Sequence, residues 1–428
     1  MPNYKIASLH GWDTTAPDMP PVYALEDQVS KLPELKAQNT QSFIRTKDFQ
    51  VMLDQFVPGY DVLTYKPVVI PDALSDRRFL MVDPRFTEEY ENKVIFREKF
   101  KSSVNFPNFT IYEREELLDS PEFYDEFMSK RAKVVVQDEQ LSGGKGTFFV
   151  ASHRQYQKML ADLSRLSAHR KVVVSDAVPG ARERSIQACV TDDKVYVGPL
   201  QRQIVGNPLL SNIRIADGDK FCGATIIKKD QATDLHRQAI AVAEKVGQVL
   251  QADGYRGIFG IDYLLSDSGE LYVIEVNPRI TGVTPLLTAL DSDNHGIPFY
   301  LLHILELGRY PYKVVNSDYS FDREGSWLVL HCLSDQIQLV TSLPVSGTYE
   351  VGNGRLKHIS DNQTLLALEA GQFILQNHLH KGSQVKPGGR TMSLQFGQPA
   401  LDYTTDELYN SVVDMVTAVQ AEIITQTI

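Results

Sequence analysis

Gly257-Ile-Phe-Gly-Ile-Asp-Tyr263, followed by Leu271-Tyr-Val-Ile-Glu-Val-Asn-Pro-Arg-Ile-Thr-Gly282, is the stretch on which the fold turns. Both runs read as apolar strands, and Ser266-Asp-Ser-Gly-Glu270 between them supplies the turn. Side chains alternate faces along a strand, so Glu275 and Asn277 point the same way. With the hairpin loop at Asp267–Glu270, Ser266 pairs with Leu271, and counting back sets Asp262 opposite Glu275. Three oxygen-bearing side chains then share one sheet face. Two carboxylates placed together repel unless a hard divalent cation resolves the conflict. Magnesium suits such a set, because it takes a few protein oxygens and fills its other positions with water and phosphate. Two ions here would bridge β- and γ-phosphates and neutralise a phosphoryl group in transfer. Arg279, two residues on, offers a planar fork of donors to an anionic substrate or acyl phosphate. Stripped of its context, Glu-x-Asn is only a solvent-facing acidic hairpin and Arg279 a surface ion-pair residue.

Upstream, Val134-Val-Val-Gln-Asp-Glu-Gln-Leu-Ser-Gly-Gly-Lys-Gly-Thr147 joins two strands. Gly143, Gly144 and Gly146 permit backbone conformations that turn successive N–H groups toward an anion, and Lys145 and Thr147 add a charge and a hydroxyl. The spacing is not that of a P-loop, and a strand rather than a helix follows. Alone, this is a flexible turn; ahead of an acidic magnesium site, it reads as a phosphate lid. A helix follows from Ser152, where Ser-His-Arg-Gln is a capping box and Tyr156, Met159, Leu160 and Leu163 form the apolar face. Next comes the strand Lys171–Val174, whose apolar edge can sandwich an adenine. Glu183, past the Pro179-Gly180 turn, is placed to accept from ribose hydroxyls.

Around this centre the chain has 428 residues, enough for two to four domains, with the ordinary polarity of a globular protein. Its net charge of −11 argues against nucleic acid or acidic lipid as a partner, since phosphate would be repelled. No apolar run is long enough to span a membrane, and the first residues lack the apolar core of a signal peptide. Cys189, Cys222 and Cys332 are too few and too scattered for a disulfide framework or a zinc cluster, and read as buried thiols. These features together suit a cytoplasmic enzyme.

Residues 1–95 are rich in proline and turn formers, with Lys66-Pro-Val-Val-Ile-Pro71 as one strand and Phe79–Val82 as a weaker one. A hairpin around Asp192-Asp193, then a helix from about Asp234 to Asp253 ending at Gly254, lead into the central stretch. After residue 326 the chain turns β-rich and closes with an amphipathic helix entered through a capping box at Thr404-Thr-Asp-Glu407. His378 and His380 have no third ligand near them in the sequence and read as structural.

Taken in order, the glycine-rich lid, hinge strand, acid, Glu-x-Asn and arginine resemble the ATP-grasp superfamily over roughly residues 95–320. The resemblance implies an α/β (α+β) ATP-grasp fold that binds ATP and magnesium, two ions with manganese as an alternative. It carries over Asp262, Glu275 and Asn277 as metal ligands, Val172, Val174 and Ser175 as the adenine hinge, and Glu183 as the ribose contact. Lys99 resembles the family's first ATP-binding lysine. Gln137 stands where the family has a lysine on the strand entering the lid, so Lys145, Lys133 or Arg202 compensates or nucleotide binding is weaker. That glutamine, with Gln201-Arg202-Gln203, is most similar to the peptide ligases of the pheganomycin type. Their layout implies an N-terminal pre-ATP-grasp domain (1–95), an ATP-grasp core (96–325, lid about 131–198) and a small substrate-shaping C-terminal domain (326–428).

The implied reaction is ATP-dependent joining of a small-molecule carboxylate, an amino acid or peptide, to an amine acceptor through an acyl phosphate. Arg279 and Arg202, with Arg214, would hold the carboxylate, and the resemblance allows a homodimer. Activation of bicarbonate, as in biotin carboxylases, and a non-catalytic ATP-binding regulator are the rival readings.

Overall fold

The computed structural model describes residues 6–8, 22–24, 45, 47–56, 59–119, 123–129, 131–141, 146–166, 169–214, 221–293, 298–313 and 324–428. Gly143, Gly144 and Lys145 of the expected lid lie outside them.

A ten-stranded antiparallel sheet forms the centre of the described molecule. Its order is Leu271–Asn277, Gly257–Leu265, Arg182–Val190, Val195–Val205, Phe221–Ile226, Gly325–His331, Arg390–Phe396, Gln372–Asn377, Gly347–Gly352 and Arg355–Ser360. The two faces of its first strands are covered differently. Phe259, Ile261 and Tyr263 pack with Ile186 and Ala188 beneath the helix Asp234–Ala252, whose apolar stripe at spacings of three and four is Ala239, Ala243, Val246 and Leu250. On the other face Ile258 and Cys189 lie under the helices Thr284–Asp293 and Phe299–Gly308. Thr233 caps the Asp234–Ala252 helix by accepting from His236 N–H.

The lid is a separate four-stranded antiparallel sheet in the order Phe109–Glu113, Lys171–Asp176, Val134–Asp138, Thr147–Val150. Val134, Val136, Val150, Val172 and Val174 face the helix His153–Leu166 and bury Tyr156, Met159 and Leu163 against it. Half of the expected capping box forms there: Gln155 N–H donates to Ser152 Oγ at 3.3 Å, while Gln155 Oε1 reaches past the cap to accept from Ala151 N–H at 2.8 Å. Val22–Ala24, Ile6–Ser8, Asp61–Leu63 and Phe79–Leu80 make a parallel sheet.

Three local expectations change. Lys66–Pro71 is irregular, and the strand lies earlier, at Asp61–Leu63. Pro67 and Pro71 cannot donate to a ladder, and Thr64 Oγ1 turns the chain by donating to Lys66 O at 2.8 Å. Thr404–Glu407 is a turn rather than a helix cap, because Asp402 accepts from both Thr404 and Thr405 N–H; the helix begins later, at Asn410. The hairpin of the opening stretch carries a bulge. Leu265 pairs with Leu271 and Tyr263 with Val273, yet Asp262 pairs with Glu275, so Ile274 is one residue more than the ladder needs. Leu271 and Val273 therefore enter the core below Asp234–Ala252, and the extra residue changes parity so that Glu275 and Asn277 turn to the opposite face while Val276 joins the core. The expected pairing of Asp262 with Glu275 holds, reached by a bulge instead of a regular count.

Candidate active site

Helix cover on the second face of the sheet stops at Gln187, where Thr281 and Thr284 hydroxyls donate to its Oε1 at 2.8 and 2.6 Å. One pair further along the strands come Asp262, Ser185 and Glu275. Asp262 is the middle of a tight polar knot. Its Oδ1 accepts from Gln203 Nε2 at 2.7 Å and its Oδ2 from Asn277 Nδ2 at 3.0 Å. Burial first, and then the charge of Glu275 opposite, push the Asp262 carboxyl up to about 7, against the donors Gln203 and Asn277 and the charge of Arg279. Lys93 Nζ lies 3.9 Å from Glu275 Oε2. Two carboxylates and an amide oxygen make a hard donor set of the kind magnesium takes. Among the described residues no group of three or more His, Cys, Asp or Glu gathers as a metal site, so the third donor here is Asn277.

Arg279 sits beside this knot with its fork engaged. Nε donates to Glu91 at 2.6 Å, Nη1 to the Tyr65 hydroxyl at 3.2 Å and Nη2 to Asn277 Oδ1 at 2.6 Å. Burial opposes its charge, but Tyr65, Glu91 and Glu275 overcome that and raise its pKa. Lys66 belongs to the same neighbourhood: burial and then Arg279 lower its pKa, while Glu91 and Glu275 pull it up. Sequence reading missed Tyr65, Lys66, Glu91 and Gln203. The first three lie in the proline-rich stretch, whose spacing carried no signal.

On the lid, alternation places Gln137, Thr147 and Ser175 on the face away from the lid helix, toward the helix Lys93–Phe100. Gln137 Oε1 accepts from Arg97 Nη2 at 2.9 Å. Gly146 fits where no side chain can: a Cβ would meet Leu141 Cβ at 2.7 Å and Asp138 Cβ at 2.8 Å. Val172 and Val174 do not form an open adenine edge. Their side chains are in the lid core and their strand is paired on both sides, so the accessible backbone begins past Asp176, where the chain leaves the sheet. Ser175 Oγ, buried on the Gln137 face, has no hydrogen-bond partner among the described residues. Glu183 shares the Asp262 face two positions along, and burial raises its carboxyl.

Two expected residues are elsewhere. Lys99 is turned away: its ammonium is held by Glu89 at 2.8 Å, Asp253 at 2.5 Å and the Tyr90 hydroxyl at 2.7 Å. One turn of helix spacing explains the miss, since Lys93 and Arg97, four residues apart, are the pair that faces the site. Arg202 lies on the opposite sheet face from Asp262, because it alternates with Gln201 and Gln203. Its fork is consumed by Asp230 at 2.7 Å through two nitrogens and by Asp406 at 2.6 Å. Arg214 pairs with Asp335 at 3.1 Å at the surface, and Lys133 lies over the Phe149 ring, 4.6 Å from its centre. Neither Arg202 nor Lys133 supplies the charge that Gln137 lacks.

A family profile described as an ATP-grasp domain matches residues 90–283. The chain is 24% identical over 240 residues to the [butirosin acyl-carrier protein]–L-glutamate ligase of Niallia circulans, covering 54% of each chain. It is 25% identical over 157 residues to the carbamoyl phosphate synthase large chain of Gemmatimonas aurantiaca, covering 36% of this chain and 13% of that one. The matches thus span about half of the first relative and a small part of the second. Among solved structures, the biotin carboxylase domain of the Hydrogenobacter thermophilus 2-oxoglutarate carboxylase, in complex with ADP-magnesium and bicarbonate, superposes with TM-score 0.58 at 11% identity, over 99% of this chain and 85% of that one. The Aspergillus clavatus carboxyaminoimidazole ribonucleotide synthase bound to ATP gives 0.56 at 13% identity, over 99% and 100%. At these identities the structures speak to the fold. Among the described residues no helix is long and apolar enough to cross a membrane.

Proposed function

We propose, from the match of residues 90–283 to an ATP-grasp domain profile, that the chain is an ATP-dependent carboxylate–amine ligase. It activates the carboxylate of an amino acid or peptide as an acyl phosphate, joins it to an amine, and releases ADP and phosphate. The observation that carries the reading is the knot of Asp262, Glu275 and Asn277 on one sheet face, with Arg279 against it and Gln137 and Thr147 on the facing lid. The Niallia circulans relative, a glutamate ligase by name, supports the amide-forming branch.

The donor set fits magnesium: a carboxyl pushed up to about 7 by burial and a facing carboxylate is one that a divalent cation would return to its charged form. Asp262, Glu275 and Asn277 would hold one or two magnesium ions, and Gln137, Thr147, Ser175, Glu183 and Lys93 would line the nucleotide. Bound magnesium supplies charge neutralisation to the phosphates. The chain's own residues do the rest. A carboxylate is a poor electrophile, and Arg279, rigid because Glu91, Tyr65 and Asn277 fix its fork, stabilises negative charge that develops beside the knot. Gln203 holds Asp262 in place from two strands away. The lid strands exclude the water that would hydrolyse an activated acyl group.

ADP release measured with mixtures of amino acids and peptides tests the reading. Turnover that needs an amine acceptor supports the ligase. Turnover that needs bicarbonate instead assigns the chain to the carboxylating reactions, and tight nucleotide binding without turnover makes it a regulator. Glu275→Gln is expected to lose turnover while keeping its fold by circular dichroism. An active Glu275→Gln variant would sink the donor assignment.

A further inference from the structure

We propose that Arg97 and Gln137 act as one anion-binding unit, the guanidinium seated behind the amide, that grips the nucleotide's phosphate tail where the lid meets the acidic knot. The proposal rests on the ATP-dependent reading above and adds a cation that the sequence did not assign to the site.

Three side chains of arginine are buried below a tenth of their exposure in the described chain: Arg97, Arg184 and Arg202. Arg184 is paired with Asp406, and Arg202 with Asp230 and Asp406. Arg97, 1% exposed, has no carboxylate of the described residues within ion-pair distance. Its Nη1 donates to Lys93 O at 3.2 Å and its Nη2 to Gln137 Oε1 at 2.9 Å, and its Nε has no partner among the described residues. The rings of Phe106 and Phe109, 5.7 and 5.8 Å from the guanidinium carbon, give it its remaining stabilisation. Burial lowers its pKa to about 10, which leaves it charged at neutral pH, and Glu275 is the carboxylate whose field reaches it. A buried, unpaired guanidinium is destabilising, and it is the arrangement expected of a site completed by an anion.

Gln137 tells which way the anion comes. An arginine can only donate, so the glutamine oxygen must face Arg97 and the amide NH2 must face away. That NH2 points to Thr147 Oγ1, the first strand residue after the glycine loop, at 3.5 Å, the outer limit of a hydrogen bond. The NH2 therefore presents donors beside Thr147 with a positive charge directly behind them. A hydrogen bond from Arg97 polarises the amide, which makes it a better donor to an anion than an isolated glutamine. Arg97 acts through Gln137 and is a positioning residue. The chemistry recognised is a phosphate chain of a nucleoside di- or triphosphate.

The test is calorimetric titration of the full chain with ADP in excess magnesium, alongside thermal melts, for wild type, Arg97→Met, Gln137→Lys and the double variant. Arg97→Met is expected to weaken ADP by about tenfold or more, as loss of a charge-assisted contact does. Gln137→Lys in the Arg97 background is expected to weaken it as well, because two cations then crowd one place. The double variant moves the charge to the strand and is expected to return affinity to within about threefold of wild type, a rescue that a merely structural role for Arg97 would not give. Wild-type affinity in Arg97→Met, tighter binding in Gln137→Lys, or a double variant no better than Arg97→Met overturns the proposal. If Arg97→Met melts below the assay temperature, the Gln137→Lys and double variants still decide. A wild-type chain that binds no ADP refutes the ATP-dependent reading itself, which separates the two failures.

Discussion

Replacing Asp262 by asparagine removes a charge that the apo fold holds at a cost, and the size of that cost follows from its surroundings. Burial, then Glu275, raise the carboxyl from an ordinary 3.8 to about 7. The folded pKa is above the unfolded one, so between those values the folded state binds the proton more tightly. Stability then falls as pH rises from about 4 to about 7, and the full loss persists above that. A difference of about 3 units at 1.36 kcal/mol each gives about 4 kcal/mol. Asparagine keeps an acceptor for only one of Gln203 and Asn277 and sets its own NH2 against the other, returning about 1–2 kcal/mol of that gain. Asp262→Asn is therefore expected to be more stable than wild type by about 2–3 kcal/mol at pH 8 and no more stable at pH 4.5. For a cooperative unit of domain size this moves the midpoint by roughly 5–10 °C. The assay is near-ultraviolet circular dichroism against temperature at pH 4.5, 6, 7 and 8 with a chelator, read at the first transition because several cores need not melt together. Added magnesium should then raise wild type and leave the variant unmoved. A variant less stable than wild type at pH 8, or a gap that ignores pH, refutes the reasoning.

Asp406→Ala strands the buried Arg184, 2.7 Å from it, and takes from Arg202 one of its two carboxylates while Asp230 stays, and is expected to lower stability in urea by about 3–5 kcal/mol without changing ADP affinity. Lys99→Met should leave ADP affinity within about twofold of wild type by calorimetry, because its ammonium is spent on Glu89 and Asp253, and its stability loss should stay below about 1 kcal/mol for a partly exposed pair. A large loss of ADP affinity in Lys99→Met would restore it to the site. Tyr263→Phe breaks the buried hydroxyl bond to Ala239 O at 3.1 Å and should cost about 1 kcal/mol in the same urea titration, with turnover retained.

What could be read from sequence followed the range of the signals involved. The pairing of Asp262 with Glu275 came out right although the end of the hairpin did not: Leu265, not Ser266, pairs with Leu271, and the extra residue at Ile274 restores the count, a bulge that strand alternation gives no sign of. The helices His153–Leu166 and Asp234–Ala252 were legible because their stripes and caps are local. Lys93 and Arg97 were hidden because a helix carries several basic residues, and only tertiary packing decides which face meets Gln137. Arg202 was misplaced because one step of strand alternation moves a side chain to the other face of the sheet. Glu91 and Tyr65 were invisible because they meet Arg279 across more than half the core's length of chain, and nothing in their neighbours marks them. The strand Gly325–His331 pairs with Phe221–Ile226, an alliance between distant segments for which sequence offers no cue.

The unmatched Ile274 has a consequence for how this gene tolerates change. Substitutions there can be absorbed by a half-covered side chain, but loss of a single codon cannot. With the ladder made regular, either Val273 would be thrust out among the polar groups or Glu275 would be driven into hydrocarbon beneath Asp234–Ala252. Length, more than residue identity, is the inheritance guarded at this point of the chain.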